Sequence, residues 1–124
     1  MKRTPLPSRR RNETFTLDWR GQTVSVTFGI DAAGRVREVF ADIAKTGTDL
    51  QALLADWCVI VSVALQHDIP PSALARSLCR VPDPARGEGA DLPASLIGAI
   101  MEVATTAEFP EFPAHSTEVK NAFS

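Results

Sequence analysis

The residues best suited by type and spacing to do chemistry are Lys45, Thr46, Gly47 and Thr48. A glycine turn that opens a helix presents unsatisfied amide hydrogens, and a lysine just before it adds a cation. Together they would contact a phosphate or a nucleotide. No glycine stands five positions before Lys45, so the rest of the phosphate-loop pattern is missing. A plain strand-to-helix turn explains the same residues, with Thr48 and Gln51 forming a capping box. Asp49 opposes an anion there and suits the first turn of a helix.

The remaining reactive side chains form no catalytic constellation. Cys58 and Cys79 have neither C-x-x-C spacing nor a nearby histidine pair, so Cys58 is expected to be a buried thiol. A redox pair between them requires two helices to bring them within disulfide reach. His67 ends the long helix, where a cation suits the dipole, and His115 lies in the tail. Asp42, Asp49 and Asp56 make no general acid/base pair, and no metal site is expected. Arg9, Arg10 and Arg11 have the charge to contact phosphate or an acidic partner surface, but no aromatic residues interleave with them.

These side chains need a frame. The 124 residues predict one domain able to bury a core without staples. The chain is 44% hydrophobic and 23% charged, with a net charge of −2. That balance gives no global electrostatic case for nucleic acid or membrane. Two cysteines, and prolines and arginines in place of an apolar leader, predict a cytoplasmic location. Residues 1–12 are expected to be a basic extended arm, residues 13–106 the domain, and residues 107–124 a loosely ordered tail.

Period-two alternation predicts three strands: residues 14–19, 23–28 and 36–43. The turns at Arg20–Gly21 and Asp31–Gly34 join them into an antiparallel meander. After Gly47, Leu50, Leu53, Leu54, Trp57, Ile60, Val61, Ala64 and Leu65 recur at helical spacing. The other side adds Ala55, Val59 and Val63, so this helix is apolar on more than one face and needs a second cover. Its inner face, Leu54, Trp57, Val61 and Leu65, is expected against Phe28, Val39 and Phe40. Pro70–Pro71 opens a second helix, and Asp91 caps a third around Leu96–Val103. The expected fold is α+β: a three-stranded antiparallel β-meander packed against two to three α-helices.

The combined pattern resembles a known family. Leu6-Pro7-Ser8-Arg9-Arg10-Arg11 precedes the meander. Glu38-Val39-Phe40 follows with Asp42 and Lys45-Thr46-Gly47, then Ser62-Val63-Ala64-Leu65-Gln66-His67-Asp68-Ile69-Pro70. This resembles the TSCPD domain, found alone or as the C-terminal part of vitamin B12-dependent (class II) ribonucleotide reductases. The resemblance implies a stand-alone accessory or regulatory module for ribonucleoside-diphosphate reductase, with a reductase large chain as its partner. Adenosylcobalamin belongs to the full-length reductases, and none is expected on this chain. The family's name-giving cysteine motif is absent here, and no cysteine follows Cys79. Nor do 124 residues supply the barrel that holds the cobalamin, so catalysis by the chain alone is not expected. Two other readings stand beside this one. One is a small phosphate-binding module using the Lys45–Asp49 turn. The other is an interaction domain that dimerises through the over-apolar helix.

Overall fold

The computed structural model describes residues 11–43 and 49–108. Three strands, β1 (Arg11–Trp19), β2 (Gln22–Ile30) and β3 (Val36–Ile43), form one antiparallel sheet in the order β1-β2-β3. Three helices accompany it: α1 (Asp49–Gln66), α2 (Pro71–Ser77) and α3 (Leu96–Ala107). The α+β meander read from the sequence is the architecture observed. Arg11 and Asn12, assigned from sequence to the arm, are the first residues of β1.

Alternation sorts the sheet into two faces. Phe15 and Leu17 lie opposite Val26 and Val24, and Phe28 lies opposite Val39; all six are buried. The Phe15 and Phe28 rings meet edge to face at 5.3 Å. On the outer face Thr14 and Thr27 share a hydroxyl hydrogen bond of 2.9 Å. The β1–β2 turn places Arg20 at φ 50° and Gly21 at φ 84°. This is the primed turn whose twist matches a two-residue hairpin. The Arg20 guanidinium stacks over Trp19 at 4.7 Å and donates to the Ala94 carbonyl at 3.1 Å. The first hairpin is thereby tied to the approach to α3.

Under the sheet, α3 is buried through Leu96, Ile97, Ile100, Met101, Val103 and Ala104. It packs on α2, whose Leu74 and Leu78 are half-buried against the same core. Along β3, α1 presents two neighbouring rows. Leu54, Val61 and Leu65 enter the core, and Cys58, Ser62 and Gln66 stand beside them, also buried.

Several expectations change. Phe40 is not in the core: it is 58% exposed. The sheet register shows why. Ile30 pairs with Val36 and Gly29 with Glu38, so Arg37 is an extra residue on β3. This bulge resets the alternation, Val39 turns inward, and Phe40 stands on the outer face opposite Thr27. Trp57 is half-buried at the core's margin. Asp91 does not cap α3. Instead Arg80–Pro82 (β4) pairs with Asp91–Pro93 (β5), and Ser95 caps α3 by accepting the Gly98 amide at 3.1 Å.

Ser62 carries a prediction. Its hydroxyl accepts the Val39 amide at 2.9 Å and donates to the Val39 carbonyl at 3.3 Å, both buried. Ser62→Ala leaves those two groups without partners, at a cost of about 1–3 kcal/mol. Ile60→Ser, on the opposite side of α1, should stay within about 0.5 kcal/mol. Equilibrium denaturation of both variants decides, and equal stabilities would contradict the assignment of faces.

Candidate functional site

The described surface includes a groove beside β3 and a cleft beside α3. The first is a groove of about 290 Å³ between β3 and α1. Phe40 and Ala41 form its strand wall, Ala55 and Val59 its helix wall, and Cys58 and Ser62 its floor. The groove exists because the bulge turns Phe40 outward while α1 leans on β3 through smaller residues. Its floor is chemically quiet. Burial pushes the Cys58 thiol up to about 11, and a hydrogen bond with the Ala41 backbone offsets only part of that rise. The thiol is therefore protonated at neutral pH and is no nucleophile. Cys79 is exposed, and the two cysteines are not bonded to each other.

The second is a cleft of about 520 Å³ between α2, the β4–β5 hairpin and α3. Arg80 dominates it. Its guanidinium holds Asp91 at 2.9 Å and Glu102 at 2.9 Å, and donates to the Ala75 carbonyl at 3.4 Å. The hydroxyls of Thr105 and Thr106 turn back onto the carbonyls of Met101 and Val103 in their own helix. Arg80, through Asp91 and Glu102, thus holds the hairpin to α3.

A third charged centre joins the elements. Arg37, the bulged residue, binds Asp31 at 2.9 Å, Asp68 at 2.7 Å and the Leu65 carbonyl at 2.8 Å. Asp68 adopts φ 68° where α1 ends, a place usually taken by glycine. Burial works against the charge on Asp31. The Arg37 guanidinium and the amides of Arg35 and Ala33 outweigh it and hold the carboxyl below its ordinary value.

The predicted site residues are scattered. Lys45, Thr46, Gly47 and Thr48 lie outside the described residues, as do Arg9 and Arg10. Arg11 lies on β1, 3.2 Å from Glu13. The Asp42 carboxylate accepts from Gln51 at 2.9 Å, which joins the end of β3 to the start of α1. His67 is bonded through Nδ1 to the Val63 carbonyl at 2.9 Å. Among the described residues, no group of three or more His, Cys, Asp and Glu is placed to hold a metal ion. Sequence reasoning gave no structural role to Arg37, Ser62 or Gln66. The available signal was the four-residue spacing of Cys58, Ser62 and Gln66 inside an apolar helix.

Comparison with known proteins then places the chain. A family model described as "TSCPD domain" matches residues 2–104. The chain belongs to the TSCPD domain family. It is also similar to a protein named "Vitamin B12-dependent ribonucleotide reductase" from Agrobacterium fabrum (strain C58 / ATCC 33970). The two are 30% identical over 69 residues, which is 56% of this chain and 5% of that reductase. No solved structure matches.

The Arg37 centre gives a pH prediction. A lowered Asp31 contributes stability above its unfolded pKa, about 3.9. That contribution is lost as pH falls through the lower folded value. Asp31→Asn should therefore flatten the decline in stability below about pH 4, as followed by denaturant titrations across pH. An unchanged acid slope would show that Arg37 does not hold the Asp31 charge.

Proposed function

We propose that this TSCPD domain is an accessory or regulatory module of deoxyribonucleotide synthesis, acting in the cytoplasm on a ribonucleotide reductase large chain. One observation carries the reading. The family match across residues 2–104 coincides with similarity to a protein named as a vitamin B12-dependent ribonucleotide reductase. The matched part is a small fraction of that reductase, so the reading assigns a partner rather than a reaction.

The described side chains favour binding over chemistry. Arg37 and Arg80 are engaged by carboxylates and carbonyls of the fold. The Cys58 thiol is buried and protonated at neutral pH. Large apolar side chains stand at the surface instead: Phe40, Leu53, Val59 and Ile60. A domain built this way acts by docking. It changes the reductase through contact and leaves the radical chemistry to the cofactor-bearing chain.

The test mixes the purified protein with a vitamin B12-dependent reductase. A stoichiometric complex on gel filtration, with altered turnover of the large chain, is the expected result. Incubated alone with ribonucleotides, adenosylcobalamin and a dithiol, the protein should form no deoxyribonucleotide. Absence of a complex, or turnover by the protein alone, would overturn the proposal.

A further inference from the structure

The outward half of α1 is apolar and meets solvent. Leu53 is 48% exposed, Val59 61% and Ile60 66%, and Phe40 adds 58% from β3. Leu53 and Ile60 are two turns apart on one row, and Ala52, Ala55 and Val59 form the adjacent row. The groove joins the second row to Phe40. By length and composition alone, α1 is apolar enough to cross a membrane, but its other face is packed on β3. A contiguous apolar surface of this kind marks an interaction site.

Among the described residues, the charge facing solvent on α1 and on the outer face of β3 is acidic, and the one β3 cation, Arg37, is engaged by Asp31 and Asp68. Between them, Asp49 and Asp56 supply the only charge on α1, which has no lysine or arginine. Asp56 is exposed between Leu53 and Ile60 on the same face. The neighbouring strand adds Glu38 and Asp42. We propose that this face docks a basic amphipathic segment of another chain, with apolar residues at helical spacing flanked by Lys or Arg. Its apolar residues seat on Phe40, Val59 and Ile60, and its cations meet Asp56 and the acidic end of β3. A second copy is the poorer fit, because a two-fold contact sets the same patch against itself. Acid would then face acid across an apolar seam. An anionic membrane meets the same repulsion.

This inference rests on the proposed function only for the identity of the partner chain. Its chemistry is tested without any reductase. The probes are two synthetic helical peptides with the same leucine face, one flanked by lysines and the other by glutamates. Calorimetric titration of the full chain should show the lysine peptide binding at least tenfold more tightly. A Val59→Ser, Ile60→Ser double variant should weaken that binding at least tenfold with its melting temperature unchanged. Asp56→Lys should reverse the preference between peptides. Equal binding of both peptides, no binding of either, or lysine-peptide binding unaffected by the double variant would overturn the proposal. So would a dimer in sedimentation equilibrium that the double variant dissociates, since a second copy would then occupy the face.

Discussion

The fold depends on how the outer edge of β3 is sealed. An edge strand exposes amides and carbonyls that need partners and that pair readily with foreign strands. Here α1 supplies the partners. Ser62 bonds both backbone groups of Val39, Gln66 donates to the Arg37 carbonyl, and Cys58 bonds the Ala41 backbone. The match is geometric. Four helical residues rise about 6 Å, and two strand residues advance about 6.6 Å. A side chain every four residues on α1 therefore meets a backbone site every two residues on β3, running in the opposite direction. Glu108, just past α3, extends the seal by accepting the Val36 amide at 2.9 Å.

That seal also sets the rotation of α1. With Cys58, Ser62 and Gln66 turned to the strand edge, Leu54, Val61 and Leu65 reach the core. Val59 and Ile60 are then carried outward. Arg37 locks the end of the helix by binding the Leu65 carbonyl and Asp68 together. Among the described residues, Arg37, Cys58, Ser62 and Gln66 are thus absorbed into the architecture. What reaches solvent on α1 is an apolar stripe with acidic charge. The family relation to ribonucleotide reductase supplies the context in which such a partner is sought.

Much of this was legible in the residues. Period-two alternation located all three strands, and the Arg20–Gly21 and Asp31–Gly34 turns fixed their order. The excess of apolar residues on α1 predicted a second cover, whereas Leu53, Val59 and Ile60 meet solvent among the described residues. The bulge was not legible. Val39 and Phe40 are both apolar, and only the pairing of Ile30 with Val36 decides which of them faces the core. Nor was the polar row, because reading a helix by its apolar positions discards Ser62 and Gln66. The β4–β5 hairpin escaped because its strands are three residues each and contain prolines, which usually mark turns. The predicted anion turn at Lys45–Thr48 lies outside the described residues, so the sequence reading of it stands by itself.

The central claim is that α1 completes β3 as a further strand would. Amide hydrogen exchange on the folded protein tests it most directly. The Val39 amide, on an edge strand, should exchange as slowly as the central-strand amides of β2. Ser62→Ala should accelerate Val39 selectively while β2 stays protected. If Val39 in the unmodified protein exchanges as fast as the amides of the exposed Arg20–Gly21 turn, the seal does not exist and the account of α1 fails.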